Sequence, residues 1–250
     1  MLLTLKNTKR YSRSMQKTKH YHFIDETGDP EFYGAKKKLL IGHSGYQPYL
    51  IIGMMSCEDR KKIRQEVLAF CNDILSDPLY NAIPSIQKAG NTWLPHARSD
   101  HPEIRAKFFE FLRKLSGYRC SIVIGRKDID IFTSKHNSKP QEFYFDLVYH
   151  LLSEKFQSLT GTQHIYLAQG PKTNLHLFKS ALDKVTKKLK NSLLFEQNIV
   201  KRNLCPEISI IDYYLWAKQR DLLKNEGRFF EAIKKRVEKE IDLYPIQGEK

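Results

Sequence analysis

The chain has 250 residues, with 42 Lys and Arg against 28 Asp and Glu, a formal net charge of +14 at pH 7. A hydrophobic fraction of 41% is ample for a packed core and excludes wholesale disorder. A mean hydropathy of -0.52 and the lack of any apolar run near the ~20 residues needed to span a bilayer exclude a transmembrane protein.

The base is clustered. Residues 1–22 carry Lys6, Lys9, Arg10, Arg13, Lys17 and Lys19 without an acid, and residues 1–19 are expected to form a basic flexible arm. Leu2, Leu3 and Leu5 are followed at once by Lys6 and Asn7, so the apolar region of a secretory signal is missing. Cys57, Cys71, Cys120 and Cys205 form no C-x-x-C pair, which argues against a zinc ribbon and for a reducing, cytoplasmic setting.

Tyr21 to Asp25 is β-prone and closes on the turn Thr27-Gly28-Asp29-Pro30. Glu31 to Pro48 is turn-rich, with room for a hairpin strand near Leu39 to Ile41. Tyr49 to Met55 reads as a buried strand, and Glu58 to Leu75 carries Ile63, Val67, Phe70 and Ile74 at helical spacing. Residues 77–97, with Pro78, Pro84 and Pro95, read as an irregular insertion. Pro102 opens a helix striped by Ile104, Phe108, Phe111, Leu112 and Leu115, and Tyr118 to Arg126 is the next strand.

Pro140 opens another helix, with Tyr144, Val148, Leu151 and Leu152 inward, and His164 to Ala168 is a strand. Asn174 to Lys190 is a helix whose apolar face is Phe178, Leu182, Val185 and Leu189. Asn198 to Val200 is a short strand, Glu207 to Leu222 a helix, and Phe229 to Ile241 a final charged helix. Early consecutive strands followed by alternating helix and strand imply one α/β domain over residues 20–250, a mixed sheet with helices on both faces.

Two acidic positions stand out. On a strand, Tyr21, Phe23 and Asp25 share one face and His22, Ile24 and Glu26 the other. Asp25 therefore ends a face of two large aromatics, as a turn cap or as a metal ligand. Glu26 joins it at one metal only if the strand bends there. Asp212 is the sole charged residue between Glu207 and Lys218, in a helix apolar or aromatic almost all round. An ionised carboxylate there needs a compensating arginine, tyrosine or metal ion. Carboxylates at a first strand end and on a late helix suit hard Mg2+ or Mn2+ in phosphodiester chemistry.

Phe23-Ile24-Asp25-Glu26-Thr27-Gly28-Asp29, Pro95 to Asp100 leading into Pro102-Glu103-Ile104-Arg105, Arg126-Lys127 after a strand, and Ile208 to Arg220 together resemble the domain-of-unknown-function 3800 family. The likeness runs from about residue 20 to 245. It implies a fold similar to the ribonuclease H-like nucleases, integrases and resolvases, with Asp25, Glu26 and Asp212 as metal ligands. It also implies a setting near mobile elements or phage defence. Thr27 stands where the family usually has Ser, Ser209 where many members have Gln, and no acid ends the strand Ile165 to Gly170. Asp100, Glu103 or Asp128 are the substitutes within reach of the sequence.

The expected activity is that of a divalent-metal-dependent nuclease hydrolysing phosphodiester bonds of DNA or RNA with Mg2+ or Mn2+. His96 is a candidate proton shuttle or a hydrogen-bonded loop residue. Arg126, Lys127 and Arg220 are candidate phosphate or carboxylate partners. Lys184, Lys187 and Lys188, in the basic stretch 179–202, are expected to hold the nucleic-acid backbone. Two alternatives stand beside this: a non-catalytic nucleic-acid-binding protein with a degenerate site, and a subunit whose Phe229–Ile241 helix docks a protein partner.

Overall fold

The computed structural model describes residues 19–156, 159–169, 175–189 and 193–245. The expected arm of residues 1–19 therefore lies, but for Lys19, outside the described residues. Strands β1 (Lys19–Gly28), β2 (Tyr49–Cys57), β3 (Tyr118–Arg126), β4 (Thr162–Ala168), β5 (Leu194–Val200) and β6 (Val237–Leu243) form one sheet of order β5-β4-β1-β2-β3-β6. β1, β2 and β3 are antiparallel neighbours; β4 runs parallel to β1, β5 to β4 and β6 to β3. The sheet is mixed, as its sequence order implied. Its central strands are apolar on both sides, with Phe23 and Ile24 both buried, because helices cover both faces.

The helices are α1 (Arg60–Ser76), α2 (Pro78–Asn81), α3 (Pro84–Ala89), α4 (Pro102–Lys114), α5 (Ile129–Ser134), α6 (Pro140–Phe156), α7 (Leu175–Leu189), α8 (Ile208–Lys224) and α9 (Arg228–Ile233). Four of them begin at a proline, whose fixed φ and missing N–H suit the first turn. Asp59 caps α1 by accepting the Lys62 N–H at 2.9 Å. One core joins Phe23, Ile51, Met55 and Ile122 of the sheet to α1, α4, α8 and α9. The other joins Ile24, Ile52, Val123, Ile165 and Leu167 to α5, α6 and α7. Among the described residues no helix is long and apolar enough to cross a membrane.

Gly53 decides how close α8 comes. It sits opposite Asp25 in the β1–β2 ladder, on the face that α8 covers, and a Cβ built there would lie 2.8 Å from Ile211 Cδ1 and 2.9 Å from Leu215 Cδ2. The missing side chain lets α8 rest directly on the sheet beside Asp25. Gly53→Val is accordingly expected to lower stability by roughly 1–3 kcal/mol through overpacking, read as a lower urea midpoint. An unchanged midpoint would mean that α8 is less firmly seated than this contact implies. Gly28, at φ +96°, ends β1 with its Cα against the Tyr49 carbonyl, where a Cβ would approach to 2.2 Å.

Several expectations need correction. The segment Phe229 to Ile241 is no single helix: α9 ends at Ile233, a 3-10 turn covers Lys234–Arg236, and the rest is β6. Phe229, Phe230, Ile233 and Val237 keep helical spacing, but from Val237 the apolar residues Ile241 and Leu243 fall on alternate positions of an edge strand. The docking helix of the partner-subunit alternative is therefore absent. The hairpin strand near Leu39 reduces to a single bridge between Tyr33 and Leu39. The insertion at 77–97 contains α2 and α3, and β5 starts at Leu194, four residues before the expected Asn198.

Candidate functional site

Topology delivers the site. β1, β4 and β5 run parallel, so their carboxyl ends open on one edge of the sheet, where open α/β sheets present ligand crevices. β1 brings Asp25 and Glu26 there, β4 is followed by Gln169, and β5 by the 3-10 turn Arg202–Leu204. From the layer above, α8 supplies Asp212, Trp216 and Gln219, and the loop before α4 supplies His96 and Arg98. These residues line a cleft of about 920 Å3.

Asp25 and Asp212 converge on one guanidinium. Arg202 Nη1 donates to Asp212 Oδ1 at 3.0 Å, and its Nη2 donates to Asp25 Oδ1. Asp25 is 3% exposed; its Oδ1 also accepts the Glu26 N–H at 2.8 Å, while its Oδ2 is buried with no hydrogen-bond partner. Burial pushes the Asp25 carboxyl up to about 8, against the pull of Arg202 and with the added repulsion of Asp212. Asp212 Oδ2 accepts the Ala97 N–H at 2.7 Å and stands 3.7 Å from His96 Nδ1.

The loop that carries His96 is pinned. His96 N–H donates to Asp100 Oδ2 at 2.8 Å, the Tyr213 hydroxyl donates to the same oxygen at 2.7 Å, and Arg105 Nη1 donates to the Ala97 carbonyl at 2.9 Å. Burial raises the Asp100 carboxyl to about 6, opposed by the bonds from Tyr213 and His96. A second anchor fixes the start of α8. Glu207 is fully buried and accepts from Arg60 Nε at 2.7 Å and from the Cys205 thiol at 3.3 Å. Arg60 in turn lies 4.2 Å over the Tyr166 ring.

The structure brings together Asp25, Asp212 and His96 and separates the rest. β1 does not bend at Glu26, which stays in register with Ile52. Its carboxylate turns to the opposite layer, where it accepts the Tyr144 hydroxyl. The expectation of three carboxylates at one metal is corrected accordingly: among the described residues no group of three or more His, Cys, Asp or Glu gathers to hold an ion. Of the substitute acids, Asp100 stands beside the site, Asp128 caps α5 by accepting the Asp130 and Ile131 N–H groups, and Glu103 lies exposed in the first turn of α4.

The basic candidates scatter. Lys184 and Lys188 lie over the Phe145 and Tyr149 rings on α6, and Lys187 is exposed on the same helix α7. All three belong to the layer opposite Asp25 and Asp212. Lys127 is 6% exposed, donates to the Glu31 carbonyl at 2.8 Å and faces the Phe32 and Tyr46 rings. Burial lowers its pKa to about 8. Arg220 pairs with Glu226 through Nε at 2.6 Å and Nη2 at 2.8 Å, away from Asp212. Arg126 is half-buried at the end of β3.

Arg202 is the residue that sequence reading passed over. It closes the basic stretch 179–202 and looks there like one more surface charge. The signal available was its place just after a strand parallel to β1. Neither a family model nor a curated protein matches this sequence.

Proposed function

We propose that the cleft binds a nucleic-acid strand and hydrolyses its phosphodiester backbone with one divalent cation, Mg2+ or Mn2+, held by Asp25 and Asp212. The observation that supports this most is the pair itself: two carboxylates from distant parts of the chain share one cationic partner, with a buried carboxylate oxygen left over. A buried acceptor without a donor is an uncommon cost, and a cation would satisfy it. Mg2+ is commonly held by one or two carboxylates and completes its shell with water and substrate phosphate, so this donor set fits one ion. It does not supply the ligands of a two-ion clamp, in keeping with Gln169 at the end of β4. The sheet order, an antiparallel β1-β2-β3 extended by parallel β4 and β5, is compatible with the ribonuclease H-like arrangement.

When bound, the cation would polarise a phosphoryl oxygen and make a bound water more acidic. The protein's own groups supply the rest. Asp25 and Asp212, one on the sheet and one on α8, would hold that cation at the floor of the cleft. His96, on the loop held by Asp100 and Arg105 and 3.7 Å from Asp212 Oδ2, would pass a proton to the leaving oxygen. Arg98, on the cleft wall, offers a charge to the strand. The α7 lysines lie in the layer on the other face of the sheet from the acids.

Purified protein incubated with labelled single-stranded and duplex DNA and RNA, with Mn2+, Mg2+ or EDTA, tests this reading. Cleavage with either ion and none with EDTA is expected. No cleavage of any substrate with either ion would sink it. The alternative of binding without turnover is favoured by Arg202, which already pairs with both acids; it predicts salt-sensitive affinity and no cleavage.

A further inference from the structure

Arg202 occupies the place where the proposed cation would act. Its guanidinium reaches one oxygen of Asp25 and one of Asp212, while Asp25 Oδ2 remains without a partner. Arg202 comes from a loop turn, not from the sheet or α8, and its side chain is 31% exposed. It lines the 920 Å3 cleft and also an adjoining pocket of about 320 Å3 bounded by Trp93, Pro95 and Ser209. The guanidinium thus has room to leave without unpacking either core.

We infer that Arg202 is an exchangeable counter-cation: it holds Asp25 and Asp212 together when no divalent ion is bound, and it is displaced when one binds. This rests on the cation site proposed above. The physical case is one of competition. Two carboxylates this close, one of them deeply buried, repel unless a positive charge stands between them. Arginine provides that charge through planar hydrogen bonds, yet satisfies only one of the two Asp25 oxygens. A compact divalent ion carries twice the charge and need not follow the guanidinium's planar geometry. Both cannot occupy the same space, so the affinity measured for the ion in the parental protein includes the work of moving Arg202 aside.

Calorimetric titration of Mn2+ into the parental protein, Arg202→Gln, Arg202→Lys and Asp25→Asn tests the inference, with melting temperatures taken with and without Mn2+. Arg202→Gln is expected to bind Mn2+ about tenfold more tightly than the parent, equivalent to about 1.4 kcal/mol. It is also expected to melt lower than the parent without metal and to gain more from Mn2+. Arg202→Lys, which keeps a charge but reaches fewer oxygens, should fall between the two and serves as the comparison should Arg202→Gln fold poorly. Equal or weaker Mn2+ binding by both variants would overturn the inference and make Arg202 a fixed clamp, while Mn2+ heat lost in Asp25→Asn would leave the cation site standing. Heat absent from the parent and from both Arg202 variants would overturn the site and the exchange together. Tighter binding in the Arg202 variants without any nucleic-acid cleavage would support the exchange and remove only the nuclease reading.

Discussion

Asp212→Asn is expected to reduce Mn2+-dependent cleavage by roughly 10²–10³-fold or more, the scale on which removal of one preorganised charged contact acts, without lowering the melting temperature. Asparagine keeps the shape of the side chain and an oxygen for the Ala97 N–H, which donates to Asp212 Oδ2 at 2.7 Å. What it removes is the negative charge. Arg202 then faces Asp25 alone, and the repulsion that helps push the Asp25 carboxyl up to about 8 is gone. Fold and function should therefore separate: thermal melting at or above the parental value, with turnover lost. Parental turnover in Asp212→Asn would remove Asp212 from the chemistry. A collapse in melting temperature would assign it a structural role instead.

The second large effect lies at the other end of β1. His22 is 1% exposed; its Nε2 lies 2.8 Å from Gln163 Oε1 and its Nδ1 2.8 Å from Ser56 Oγ. The amide oxygen of Gln163 only accepts, so Nε2 carries the hydrogen, and the Ser56 hydroxyl donates to Nδ1. Burial holds the pKa down to about 3 from the ordinary 6.5, opposed by the bond to Gln163 and aided by the nearby charge of Lys155. The sign follows directly. The unfolded chain takes up a proton below pH 6.5 that the folded protein refuses until about 3. Stability from this group is complete above 6.5 and is lost as pH falls through that window. The loss is about 1.4 kcal/mol per pH unit, on the order of 3 kcal/mol by pH 4. Urea midpoints from pH 7 to 4 should fall steeply for the parent and less steeply for His22→Gln. Identical slopes would show that the folded protein accommodates the imidazolium.

Periodicity made much of this structure legible. The period of two along Tyr21 to Asp25 placed Asp25 on the face that carries Phe23, and the helical period placed Asp212 on the buried side of α8. Of the partners left open for Asp212, an arginine, a tyrosine or a metal, the structure shows the arginine, Arg202. Periodicity failed where two periods fit the same residues, as from Phe229 to Val237, and where a strand end was expected to bend, as at Glu26. It is silent about long side chains leaving loops, and Arg202, from the turn after β5, is of that kind. Charge counting carried no spatial information: the lysines at 184, 187 and 188 are close in sequence to Arg202, but α7 packs on the face of the sheet opposite Asp25 and Asp212.

The separation of Asp25 from Glu26 has a mechanical side. One carboxylate belongs to the α8 layer and the other, through Tyr144, to the α6 layer, and the amide between them donates back to Asp25 Oδ1 at 2.8 Å. A single peptide plane is thus bolted to both halves of the protein. A twist of α6 against the sheet would turn that plane and re-aim Asp25, so strain arising behind the sheet has a short, stiff lever onto the acids in front of it.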